Sequence, residues 1–308
     1  MTAVAVPLST KITTCAGAVS HGDAIVTEAD LDSSIRLSIK KSLAANQLNI
    51  DSIILRYKLD GVETVSEPIG MQGKKLEVEA MLFNYASQNI DAIEDLIDQI
   101  DVSAVEFFPS IISSSIVSLS TVDRKVGCVL IDIGADATSF VVYEQDAPVY
   151  VGFVPLGSDS ITQSIALDYQ ISVQEAEIIK QGGPVPNNIS SDKVAKTVKK
   201  AALDIFKAIN VELKSINKSA NLPGGAVLCG GGAMMEGMDT FARESLKIPA
   251  RKASIRAFKR TETDDRELAW AGVYGLAIHA MEQERYRGRN HFGRIAKKLW
   301  ASATRFFV

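Results

Sequence analysis

The 308-residue chain is poor in cysteine and proline and has no excess of positive charge. Its three cysteines, Cys15, Cys128 and Cys229, are scattered without metal-ligand spacing, which excludes a disulfide scaffold and argues against a zinc site. They read as buried thiols of a reducing cytoplasm. A formal net charge of −4 argues against a general nucleic-acid binder, so no nucleic-acid partner is expected. No basic stretch precedes the apolar residues of Met1 to Leu8, so that segment does not read as a signal peptide. Long apolar runs are missing too. The uncharged stretch from Phe107 to Val122 contains Pro109 and six serines and is too short to span a bilayer. What is present is an apolar fraction of 46% beside an ordinary charged fraction of 23%, enough for one large or two modest cores.

Periodicity gives the elements. Residues 1 to 20 read as one strand and its exit. Thr27 caps a helix with Leu31, Ile35 and Ile39 at four-residue spacing. Ser52–Lys58 and Val62–Val65 flank Asp60-Gly61, a hairpin signal. Leu76, Val78, Ala80 and Leu82 alternate as a half-buried strand does. Ile90, Ile93, Leu96, Ile97 and Ile100 form a helical apolar stripe, read as core. After a polar loop at Gly182–Ser191, a helix is expected from about Asp192 to Ser219, with Leu203, Ile205, Phe206, Ile209 and Leu213 inward.

Three segments carry candidate chemistry. In Val129–Tyr143 an apolar run ends at Asp132, a turn with Gly134 follows, and a second run begins at Thr138. Such a turn can aim several N–H groups at one anion, and Asp132 at the strand end is placed to hold magnesium through water. An ordinary hairpin with a turn-capping aspartate has the same pattern. In Ala226–Met238 another apolar run enters Gly230-Gly231-Gly232, where the missing side chains let a flat ligand lie against the backbone. Many strand-to-helix loops share that pattern. Between them, Ser172 and Glu175 have capping-box spacing, and Gly182-Gly183 stop the helix. Glu177 and Lys180 share one face of it, either as a solvated pair or as polar contacts for a ribose.

In this order the three segments resemble the second half of the actin-like (ribonuclease H-like) α/β ATPase fold, and the whole chain resembles the bacterial cell-division family FtsA. Glu106–Pro109 through Ser120-Thr121 is similar to the family's approach to its phosphate loop, and Val154–Thr162 to its next strand and helix start. Glu67–Met71, Gly73 and Leu76–Val78 resemble its small inserted subdomain. The resemblance implies a cofactor, ATP with Mg, held by Asp132 (through water), Gly134, Thr138, Glu177, Lys180, Gly230, Gly231 and Gly232. It implies an FtsZ-type filament protein as partner, together with self-association. It also implies an N-terminally truncated chain, because the first of the family's two phosphate loops, expected near the chain start, has no counterpart before residue 126. The expected boundaries are 1–20, a remnant of the first large subdomain; 21–86, the small insert; 87–125, a helical return; and 126–280, the second half, with a trimmed helical subdomain at about 184–222. The family's phosphate loop carries glycines where this chain has Ala135 and Asp136, and Asp136 opposes phosphate.

Charge reappears, concentrated, at the end. After Glu284 there is no acidic residue, but there are seven basic ones, leaving 26 basic against 37 acidic residues before it. A basic linker is read at 281–290 and an amphipathic helix at 291–308. On a helical wheel Phe292, Ile295, Leu299, Trp300, Phe306 and Phe307 fall on one side; Arg294, Lys297, Lys298 and Arg305 fall on the other. Such a helix lies in the membrane interface and is drawn to anionic lipid. A terminal helix docked on the acidic body is the alternative. The FtsA resemblance implies a membrane-targeting helix at this place. The reading is a peripheral adaptor on the cytoplasmic face of the membrane at the division site, at most a weak ATPase. The alternatives are a protein like PilM of type IV pilus assembly and a small-molecule kinase fragment of the same superfamily.

Overall fold

The computed structural model describes residues 2–4, 9–18, 24–64, 67–99, 107–255 and 265–287. Two units divide the chain: Met1–Pro109 with His279–Val308, and Ser110–Ile278.

The first unit is built on a four-stranded antiparallel sheet. Its elements are β1 (Thr2–Val4), β2 (Ser9–Ala18), α1 (Glu28–Ser42), β3 (Gln47–Leu59), β4 (Val62–Thr64), β5 (Lys75–Ala86), α2 (Ser87–Asp98) and β6 (Phe107–Pro109). The sheet order is β2-β5-β3-β4, and β1 pairs separately with β6 in parallel. Thr27 and Asp30 form the capping box that starts α1; the Thr27 hydroxyl donates to Asp30 at 2.6 Å. Leu31 and Ile35 then bury against Val26, Leu59, Leu76 and Val78. Asp60 and Gly61, both at positive φ, make the β3–β4 turn, and the Asp60 carboxylate accepts from the backbone of Lys74 and Lys75.

Two expectations are corrected in this unit. Ser9–Ala18 pairs along its whole length with β5, so the small sheet begins well before residue 21. Alternation reveals a strand but not its partner. The α2 stripe is only partly core: Ile90 is buried, Ile93 and Ile97 are half-buried, and Leu96 is 64% exposed. Ile100 lies outside the described residues.

The second unit holds α3 (Ser110–Ser118), α4 (Thr121–Val126), β7 (Cys128–Ile133), β8 (Thr138–Glu144), β9 (Ala147–Val154), α5 (Ser158–Tyr169), α6 (Val173–Lys180), α7 (Ser191–Ser215), β10 (Ala226–Cys229), α8 (Met238–Leu246), β11 (Ala250–Lys252) and the start of α9 (Ala271–Arg287). Its sheet order is β11-β10-β7-β8-β9, with β11, β10 and β7 parallel and β8 and β9 antiparallel. β7 is central and almost wholly buried, as its continuous apolar run requires. This unit begins at Ser110 rather than near 126, because α3 and α4 are bonded to it: Ser115 to the Tyr143 hydroxyl at 2.8 Å, and Arg124 to Asp146 at 2.7 Å. α7 buries Val194, Ala201, Ile205, Phe206, Ile209 and Leu213. It ends at Ser215, before the expected Ser219, where Asn217 turns left-handed. Among the described residues no strand lies between 184 and 222.

Candidate functional site

The parallel strands β7 and β10 place Asp132 and Cys229 side by side at their carboxyl ends, the edge where open α/β sheets bind ligands. The two segments that sequence spacing singled out therefore meet. Each glycine of the 230–232 turn has its own environment. Gly230 sits at φ +85, and a Cβ there would lie 2.4 Å from Asp132 Oδ1 and 2.5 Å from the Ile133 carbonyl oxygen. A Cβ on Gly232 would strike Ile133 Cγ2 at 2.4 Å. Around Gly231 nothing lies within 4 Å, and the residue is exposed. Two glycines let the turn close on β7, and the third leaves bare backbone facing outward.

Asp132 is held from the other side by α3. The Ser114 hydroxyl donates to its Oδ2 at 2.8 Å. Burial raises the Asp132 pKa above the usual carboxylate range, against hydrogen bonds from Ser114 and Cys229 that lower it. The Cys229 thiol is pushed well up by burial and by the Asp132 charge, so it stays protonated and donates. Ser114 escaped sequence reasoning. The only trace was the polar run Ser113-Ser114-Ser115 inside an apolar helix.

The β7–β8 turn is tied to the start of α5. Gly134 N–H closes the turn on the Ala137 carbonyl at 3.0 Å. The carbonyls of Gly134 and Ala135 accept from Ser158 N–H at 2.9 Å and Asp159 N–H at 3.0 Å, satisfying first-turn donors of α5. Thr138 is fully buried and donates to the Leu156 carbonyl at 2.8 Å, stapling β8 to the exit of β9. Ala135 and Asp136 form the exposed tip.

Ser172 and Glu175 form the capping box that starts α6. On this helix the Lys180 side chain is only 6% exposed and pairs with Glu177 at 2.7 Å. Glu177 is fully engaged: Thr162 donates to Oε2 at 2.6 Å and Gln181 to Oε1 at 2.8 Å. Burial pushes the Glu177 pKa up, but the hydrogen bonds from Lys180, Thr162 and Gln181 outweigh it and hold the group below its ordinary value. Lys180 Nζ also reaches the Ser158 carbonyl at 3.4 Å, so α6 joins the same α5 terminus as the phosphate-loop candidate. The pair is thus an anchored bridge rather than a solvated one. Thr162, its third member, had no signal in the spacing.

These residues fit a nucleotide with magnesium in part. Asp132 stands at the ligand edge, Gly231 presents open backbone, and the turn tip is exposed, but its exposed residue is an aspartate. Among the described residues no group of three His, Cys, Asp or Glu is arranged to hold a metal alone. The membrane-facing residues read from sequence, Phe292 to Phe307, lie outside the described residues.

A family model described as cell division protein FtsA matches residues 129–272, and one described as the SHS2 domain inserted in FtsA matches residues 9–83. The chain belongs to the FtsA family. FtsA of Pseudomonas aeruginosa is 23% identical over 289 residues, covering 87% of this chain and 69% of the relative. FtsA of Bacillus subtilis is 26% identical over 234 residues, covering 69% and 53%. The FtsA-family chain thus spans between half and about two thirds of these relatives' length. Among solved structures, a PilM–PilN type IV pilus biogenesis complex has a TM-score of 0.66 at 13% identity, covering 90% of this chain and 78% of that one. MreB5 of Spiroplasma citri bound to ADP has 0.53 at 15%, covering 67% and 69%. Both likenesses show the actin-like fold. The small sheet of the first unit is the SHS2 insert, and its match from residue 9 agrees with the pairing of β2. Among the described residues no helix is long and apolar enough to cross a membrane.

Proposed function

We propose that this chain is an adaptor of the FtsA type, which holds FtsZ-type division filaments at the cytoplasmic face of the membrane through residues 292–308. The observation that carries the reading is the joining, in one FtsA-family chain, of both domains matched by FtsA models to a basic, aromatic amphipathic segment. The apolar face enters the lipid interface, and seven basic residues draw it to anionic headgroups, each adding about 1 kcal/mol near the surface.

The crevice at Asp132 and Gly231 takes nucleotide weakly and without a nominated catalytic base. When bound, magnesium neutralises phosphate charge. Asp132 would hold it through water, and Gly231 would lie against the nucleoside. Glu177 and Lys180 hold the start of α5 in place beneath the turn. Asp136 sets the weakness, by placing negative charge at the exposed tip.

Co-sedimentation of the full chain with vesicles tests the anchor. Phosphatidylglycerol vesicles should pellet the protein and neutral vesicles should not. In a Trp270→Phe background, Trp300 fluorescence should shift blue. Lys297→Glu with Lys298→Glu should weaken binding mainly at low salt, because screening already limits the attraction at high salt. Leu299→Asp with Phe306→Asp should abolish it at any salt. FtsZ-type filaments should pellet with the vesicles only when the chain is present. Equal, poor sedimentation with both lipids, with and without the tail, would remove the adaptor reading and leave the PilM-like and small-molecule kinase ones.

A further inference from the structure

Two exposed helix faces carry rows of like charge. On α2, Asp91, Glu94, Asp95 and Asp98 are all exposed, and neither its 12 residues nor its last turn contain a basic group. Asp91–Asp95 and Glu94–Asp98 are like-charge pairs at i,i+4, and the last turn is where the helix dipole favours cations. On α7 the row is basic, with Asp192 beside its start. Lys193, Lys196 and Lys200 are exposed like charges at spacings of three and four, and Lys193 lies in the first turn, where the dipole favours anions. Among the described residues none of these seven side chains has an ion-pair partner, whereas Lys199 is paired with Glu244 and Lys207 with Asp204. A local conflict of this kind in an otherwise consistent fold marks a surface selected for something other than stability.

The two faces match. Asp91, Glu94 and Asp98 repeat at three and four residues, as the lysines do, and each row spans about 10 Å of helix. Asp95 supplies the four-then-three spacing that an antiparallel approach requires. Leu96, 64% exposed, flanks the acidic row.

We propose that α2 of one copy docks on the lysine row of α7 of a second copy. The contact is heterologous, since the two patches differ, so it builds rings or open filaments rather than requiring a two-fold dimer. It deepens the adaptor reading, and rests on the self-association that the FtsA resemblance implies, by assigning the surfaces that make it.

The test is a charge swap in the full chain, read by sedimentation velocity at about 50 mM salt, where the Debye length exceeds 10 Å. Wild type should associate, and salt should dissolve the association. Lys196→Glu with Lys200→Glu, or Asp95→Lys with Asp98→Lys, should each lower the association constant at least about tenfold. Circular dichroism should show both variants folded. Mixing the two variants should restore association, because each then offers the other a matched pair, while neither assembles alone. Association that survives both reversals overturns the assignment and leaves self-association standing. A wild-type chain that stays monomeric in solution and on anionic vesicles overturns the self-association as well. Loss in both variants without rescue on mixing also overturns the pairing.

Discussion

Two glycine-containing turns border β7, and they are built oppositely. The β7–β8 turn spends its carbonyls on the first turn of α5, buries Thr138 and leaves only Ala135 and Asp136 outside. The turn after β10 packs two of its glycines on β7 and leaves the third open. The first is a structural joint whose exposed tip carries the wrong charge for phosphate. The second is a closed turn with one bare surface. Glycine therefore means different things at positions a few residues apart, and only the environment of each Cα tells which.

The comparison is broken most severely by filling the packed positions. A Cβ on Gly157 would lie 2.1 Å from the Ala135 carbonyl oxygen, so Gly157→Ala should cost about 3 kcal/mol or more in urea denaturation. Gly230→Ala adds strain at φ +85 to the collision with Asp132 and should cost about 2–4 kcal/mol.

The next effect concerns the bridge beneath the first turn. Lys180→Met leaves Glu177 with neutral donors only. It should cost about 1–2 kcal/mol, less than a fully buried pair because Glu177 keeps 36% exposure. Because the Glu177 pKa is depressed in the fold, its contribution is present above the ordinary carboxylate range and is lost as pH falls through the folded value. An acid titration of stability in Glu177→Gln should therefore be flatter than in wild type.

Asp132 has the opposite sign. Its raised pKa favours the protonated form in the fold, so its contribution is full below the ordinary carboxylate pKa and is lost as pH rises through the folded value. Asp132→Asn should raise the melting temperature by about 2–4 °C at neutral pH and leave it nearly unchanged in acid. A lower melting temperature at neutral pH would mean that the charge stabilises the fold. Smallest is Gly231→Ala: with open space around it, stability should stay within about 0.5 kcal/mol of wild type. A large loss there would erase the contrast between the two turns.

Much of this was legible in the sequence for a physical reason. The helix cap at Thr27, the capping box at Ser172, the Asp60-Gly61 turn and the strand–turn–strand at Asp132 are local, and local chemistry fixes them. The meeting of Asp132 with Gly230 followed from family order rather than spacing. Partners far apart in sequence stayed hidden: β2 with β5, Ser114 with Asp132, and Thr162 with Glu177. A hydroxyl 18 residues from its acceptor leaves no periodic mark. The α2 stripe misled because helical apolar spacing marks a face without saying whether anything covers it.

Calorimetric titration with Mg-ATP tests the crevice most directly, run on wild type, Asp136→Gly and Asp132→Asn in parallel. Wild type should bind weakly and only with magnesium, binding should be at least about tenfold tighter once Asp136 is removed, and none should remain without the Asp132 carboxylate. Tight binding by wild type, or the same affinity in all three, would contradict this.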